Sequence, residues 1–230
     1  MIVHKKEFTI GLILLAIFVA IFAYMWSPSF DGNNAFVYSD DIFNAISKDS
    51  SYQIPALLEK AEGQVGTKLD VTFEADDVEM ADKMAILFQK AGADVTVNGA
   101  EVNVSGDLGA IAKSAINDAD EMYKNNNIAL EQAYGYDAKE AMYYWWKSFD
   151  KMNGSLQNAG EFATASYITD VKMRAVEPGY NFFGIEGMSA KDNVGLISFL
   201  LGFYLVYTVL YGFAIYYLFE GVGIMMTSKH

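Results

Sequence analysis

Two uncharged apolar runs, one toward each end of the chain, constrain this sequence more than any other feature. Residues Phe8 to Trp26, FTIGLILLAIFVAIFAYMW, hold no Asp, Glu, Lys or Arg, and a run of that length crosses a roughly 30 Å hydrocarbon layer as a helix. A cleavable signal peptide has a shorter apolar core, about 7 to 15 residues, ending at a small-x-small site. Here the only such site is Ser27-Pro28-Ser29, so a retained anchor is expected. The second run extends from about Val194 to Met226, with Ser189 and Asp192 as candidate caps before it. Glu220 lies about 39 Å along the axis from Val194 and can reach the far interface instead of mid-membrane.

The flanks set the expected orientation. His4, Lys5 and Lys6 precede the first run and Lys229 and His230 follow the second, whereas the residues between are strongly acidic. The positive-inside rule then puts both ends in the cytoplasm and the middle outside the inner membrane. So little chain on the inside leaves no room for a cytoplasmic kinase, ATPase or output domain.

Composition removes most chemistry. Cysteine is absent, and His4 and His230 are the only histidines of 230 residues. That excludes haem attachment through CxxCH, cysteine-held iron–sulfur or zinc sites, disulfides, a catalytic thiol and a Ser-His-Asp triad in the body of the chain. Neither a P-loop nor GxGxxG is present, so no cofactor is expected. The net charge of −13 speaks against nucleic acid as a partner, because a phosphate backbone requires a basic surface. The acidic groups Asp76, Asp77, Glu79 and Asp82 read as complementing a helix dipole, and Asp118, Asp120 and Glu121 as a mostly solvated face. No run has EF-hand spacing.

The central region is expected to be an extracytoplasmic α+β domain. Residues 27–67 read as a linker with two short helices, one capped near Asp40 or Asp41 and one from Pro55 to Gly63. KLDVTFEA alternates Leu69, Val71 and Phe73 against polar neighbours, as a half-buried strand does. DDVEMADKMAILFQKAG puts Val78, Ala81, Ala85 and Phe88 on one helical face, with Gly92 as the stop. ADVTVNGAEVNVSG is a hairpin joined at Asn98-Gly99. The next helix places Leu108, Ile111, Ala112, Ala115, Ile116, Ala119 and Met122 at helical spacing. Residues 68–127 thus form a βαββα sandwich with helices on one face of a small sheet. The run VTVNGAEVNVSGDLGAIAKSA resembles the BON domain of bacterial envelope proteins, whose hairpin has a comparable V-x-V…G-x-V-x-L-S-G rhythm before a helix. The strand that should follow that helix is not visible, since MYKNNN leads into helical sequence.

Residues 128–190 read as a helical, aromatic-rich segment, its second helix ending at Glu177-Pro178-Gly179. Tyr143, Tyr144, Trp145, Trp146 and Phe149 cover more than one helical face because successive residues turn by about 100°. Part of this cluster must pack within the domain. The rest is free to dock a periplasmic protein or rest at the membrane boundary, and Tyr143, Trp145 and Trp146 are the candidates.

Residues 191–230 form the second membrane helix and tail, as 1–26 form the first. On a helical wheel Tyr204, Tyr207 and Tyr211 share one side, and Gly195, Ser198 and Gly202 lie toward the other. The first run offers Ala16, Ala20 and Ala23 at matching depth, so the two helices are expected to pack antiparallel through these small residues. The tyrosine face is then left for other integral-membrane subunits. The leading expectation is a non-catalytic accessory subunit of a multi-subunit inner-membrane complex, possible settings being respiratory or electron-transfer complexes. Alternatives are an envelope assembly, transport or secretion factor that binds clients, and a membrane-anchored periplasmic enzyme using carboxylates.

Overall fold

The computed structural model describes residues 2–224; Lys229, His230 and the last residues of the expected second span lie outside them. In chain order the elements are α1 (Lys5–Met25), α2 (Ala35–Ser50), α3 (Ile54–Glu62), β1 (Lys68–Glu74), α4 (Val78–Lys90), β2 (Asp94–Asn98), β3 (Glu101–Asp107), α5 (Leu108–Tyr123), α6 (Asn127–Tyr134), α7 (Ala138–Asn158), α8 (Phe162–Val171), a π-helical turn (Lys172–Val176), α9 (Glu177–Asn181) and α10 (Val194–Gly221). They form two compact units: the residues up to Ile46 with those from Met188 onward, and Ser47–Gly187.

In the first unit, α1 and α10 are both long and apolar enough to cross a membrane. They run antiparallel, but not through the expected small residues. Ala16, Ala20, Ala23, Gly195, Ser198 and Gly202 are all exposed, and a Cβ added at Gly195 or Gly202 would meet nothing. The helices meet instead at Gly11, where a Cβ would lie 2.7 Å from the Leu218 nitrogen, and at Gly221, where it would lie 2.5 Å from Phe8 Cβ. Further along, the Phe18 ring stacks on Tyr207 with centroids 4.4 Å apart and lies 5.1 Å from Tyr211. The physical reason is that a stacked ring pair gains more dispersion contact than facing methyl groups, and only the glycine-bearing end needs close backbone approach. The backbone amides of Val3 and His4 donate to the Gly221 carbonyl at 2.9 and 3.0 Å and close the pair at that end.

Two caps differ from expectation. α2 starts six residues before Asp41, because Asn34 Oδ1 accepts from the amides of Phe36 and Val37, both at 3.0 Å, and asparagine caps as well as aspartate. Before α10 the cap position is Asn193, with no side-chain cap bond, while Ser189 Oγ accepts from the Asp192 amide at 3.4 Å.

The second unit is a helical domain with a three-stranded sheet of order β1-β3-β2, antiparallel throughout. Leu69, Val71 and Phe73 are buried in alternation with exposed neighbours, as the strand period demands. Asn98 pairs with Glu101, so the hairpin loop is Gly99-Ala100, one residue later than expected. The left-handed φ of +62° falls on Gly99, which accepts it without steric penalty. Asp77 and Asp107 cap α4 and α5 by accepting from the Met80 and Ala110 amides, each at 2.8 Å. All seven apolar residues expected inward on α5 are buried. On α4 the buried set is Ala81, Met84, Ala85, Leu87 and Phe88, while Val78, in the first turn, is 55% exposed.

The expected boundary at residue 127 is not a structural one. α7 packs on β1 and α4, and α3 on α5, so one hydrophobic core runs from Ile54 to Val176. The sheet alone buries too little, and the aromatic helix covers the rest of its face. Nor does the chain leave helix at Glu177-Pro178-Gly179. It turns through the π segment into α9, where Pro178 sits in the first turn and its missing N–H is not needed.

Gly109 marks the closest helix contact in this core. A Cβ there would lie 2.5 Å from the Val65 nitrogen and 2.7 Å from the Ala61 carbonyl oxygen, both backbone atoms. Gly109→Ala is therefore expected to destabilise the domain by about 1–3 kcal/mol. At Gly154 in α7 a Cβ meets nothing, and the same change is expected to stabilise by about 0.5–1 kcal/mol through helix propensity. Urea unfolding of both variants in mild detergent checks the pair. Equal midpoints would contradict the close approach of α5 to the end of α3.

Candidate functional site

Adjacent residues of α7 have opposite environments because each step along the helix turns the side chain by about 100°. Trp145, expected to be available for docking, is 0% exposed. Its ring meets Phe88 edge-on at 5.1 Å, and its Nε1 donates to Asp118 Oδ2 at 2.7 Å. It is a core residue, since an indole buries the most apolar area where its N–H also finds an acceptor. Tyr143 and Trp146 remain at the surface, their rings near parallel at 6.4 Å. With Glu177, Tyr180 and Asn181 they line a depression of about 310 Å³. Lys172 Nζ lies 5.2 Å from the Trp146 ring and Lys139 Nζ 5.2 Å from the Tyr180 ring, so ammonium groups border this aromatic surface.

Asp118, read from sequence as part of a solvated face, is largely removed from water. It accepts from the Tyr134 hydroxyl as well as from Trp145. Burial pushes its carboxyl up to about 6, against the opposing pull of those two donors, and Glu121 adds to the rise. Tyr134 and Tyr136 beside it are raised above the ordinary phenol range, first by burial and then by neighbouring negative charge or phenol groups. The signal that could have exposed this site was Trp145 itself: a buried indole needs an acceptor.

The remaining acidic groups act mostly as clamps. Lys147 and Lys151 both reach Asp76 at 2.9 Å and hold its carboxyl below the usual range. Lys83 joins α4 to α7 by pairing with Glu79 at 3.1 Å and Glu140 at 3.4 Å, over the Tyr144 ring. Lys48, 5% exposed, donates to Asn125 Oδ1 at 3.1 Å and to the Ile185 carbonyl. Asn125 holds a left-handed φ of +59° and also accepts from the Gly184 amide at 2.8 Å. Among the described residues no three His, Asp or Glu side chains converge as metal ligands would.

On α10 the structure separates the three tyrosines. Tyr207 is half-buried against Phe18 and directs its hydroxyl to the Phe18 carbonyl at 3.4 Å. Tyr204 and Tyr211 are 69% and 47% exposed, and neither hydroxyl has a hydrogen bond among the described residues. The free surface of the helix pair thus combines two tyrosines with the small residues of both helices.

The chain matches no known protein family, no curated protein and no solved structure. The BON-like rhythm of residues 95–115 stays local, and α5 is followed by α6 where a BON-like continuation would need a strand.

Proposed function

We propose that this chain is a non-catalytic accessory subunit of an inner-membrane complex. In this reading α1 and α10 anchor it, and the domain Ser47–Gly187 docks a partner on the extracytoplasmic side. One observation carries it: after the two helices have packed on each other, Tyr204, Tyr211 and the stripes Gly195/Ser198/Gly202 and Ala16/Ala20/Ala23 are still exposed. A phenol hydroxyl without a partner in hydrocarbon costs on the order of 1–3 kcal/mol, and small residues admit a further helix at close range. Helices of another subunit satisfy both. Tyr143, Trp146 and Tyr180 are the surface aromatics best suited to a partner of the domain, since exposed Tyr and Trp are the residue types that anchor interfaces.

The test is native electrophoresis of membranes extracted in mild detergent, with mass spectrometry of the band that holds this chain. Wild type is expected in a large band with fixed companions. Tyr204→Phe with Tyr211→Phe is expected to weaken that band, whereas Tyr207→Phe, whose hydroxyl is used within the chain, is expected to leave it unchanged. Migration as a monomer or homodimer, indifferent to all three tyrosines, would sink the proposal.

A further inference from the structure

The chain has a single arginine, Arg174, and it lies in the π-helical turn Lys172–Val176. Such turns interrupt the regular helix ladder and recur where a side chain serves a site. Arg174 lines a cleft of about 670 Å³ together with Lys60, Gln64, Ser166, Tyr167 and Asp170, with Ala163 and Met173 as apolar wall. That volume falls in the range of small-molecule sites, about 300–1,000 Å³.

The polar groups of the cleft are incompletely used. Asp170 accepts from Lys60 Nζ at 2.9 Å and from Arg174 Nε at 2.7 Å. The Nη groups of Arg174 make no ion pair among the described residues, and both cationic side chains are about half exposed, at 53% and 52%. Two cations around one carboxylate leave a positive excess, in a protein whose net charge is −13. The Tyr167 hydroxyl is buried with no hydrogen-bond partner in the protein, a state that costs about 1–3 kcal/mol. Burial, and then Asp170, push this phenol up to about 12, so it is a neutral donor at physiological pH. An exposed Lys-Asp-Arg bridge is worth under about 1 kcal/mol by itself. It explains neither the buried hydroxyl nor the placing of the sole guanidinium, the side chain whose planar fork best matches an oxyanion.

We propose that this cleft binds a small molecule bearing a phosphate or carboxylate group. The oxyanion is held by the Arg174 Nη pair and Lys60 Nζ, a turn of the Tyr167 side chain brings its hydroxyl, closed off in the free protein, out to donate to it, and the apolar remainder lies against Ala163 and Met173. The sole arginine also supplies the assay, because its side-chain Nε–H gives one unambiguous NMR signal. In the full chain in detergent, phenyl phosphate or phenylacetate is expected to move that signal saturably, while benzyl alcohol is not. Lys60→Gln is expected to weaken binding about tenfold, the loss of one charge-assisted contact. Tyr167→Phe is expected to weaken it several-fold while leaving the melting temperature equal or higher, because it removes an unpaired hydroxyl. Displacement of phenyl phosphate by micelles carrying phosphatidic acid would assign the site to a lipid headgroup, and absence of displacement to a soluble ligand. No saturable shift with either probe at millimolar concentration, a shift indifferent to Lys60→Gln, or a Tyr167→Phe variant that melts lower and binds equally well would each overturn the proposal.

Discussion

Trp145→Ala is expected to remove about 3–5 kcal/mol of the domain's stability, and Trp146→Ala, one residue on, a smaller amount of about 1–2 kcal/mol. The first change empties a fully buried site against Phe88 and Phe149 and takes from Asp118 one of its two donors. The second removes a partly buried ring at the edge of the core, beside Tyr143 and Lys172. Urea unfolding followed by circular dichroism measures both, with the slope of the transition compared to verify two-state behaviour. Comparable losses would mean that the inner and outer faces of α7 are not as described.

The second large effect is expected from Asp118→Asn, and it depends on pH. The Asp118 carboxyl is raised from 3.8 to about 6 in the fold, chiefly by burial. The native state therefore holds a proton that the unfolded chain has released between those values, and stability falls as pH rises through them. The contribution is complete below about 4, lost by somewhat above 6, and amounts to at most roughly 3 kcal/mol. Asparagine still accepts from Tyr134 and Trp145 but does not titrate, so the variant is expected to be more stable than wild type at pH 7.5. Asp76 and Asp107 titrate in the opposite sense, because the Lys147 and Lys151 bonds, and the Ala110 and Gly66 amides, hold them below their ordinary range. The informative quantity is accordingly the difference between variant and wild type. A difference that is flat from pH 4 to pH 7.5 would refute the assignment to Asp118.

Features set by local periodicity were legible in the sequence. The strand alternation of Leu69, Val71 and Phe73 and the inward face of α5 follow from the 2.0 and 3.6 periods, and residue types alone marked both long apolar helices. What sequence could not give was the choice among equivalent faces. Trp145 and Trp146 are equally apolar taken singly; Trp145 turns inward because it lies in line with Ala141, Met142, Phe149, Met152 and Leu156 on the buried face of α7, where Asp118 of α5 accepts its N–H. The hairpin loop slid by one residue because Asn98 can serve either as a turn residue or as the last rung, and the register of Val102 and Val104 settled it. Small residues occur on more than one face of α1 and α10, and the contact went to Gly11 and Gly221 because they match in depth when the chain ends meet. The cleft around Arg174 had no sequence signal beyond the rarity of the residue, since Lys60 reaches it from 110 positions upstream of Asp170.

The bond from Lys48 Nζ to the Ile185 carbonyl shortens the path of the chain between the two helices. It brings together two points 137 residues apart, so the folded domain occupies the chain as a loop whose ends already touch. An unstructured connector of that length would oppose the meeting of α1 and α10 with a closure entropy that grows by about 0.6 kcal/mol for each doubling of length. Shrinking it to a few effective residues removes roughly 3 kcal/mol of that opposition. Seen this way the domain is also a short tether, and its unfolding would loosen the helix pair without breaking any contact between the helices.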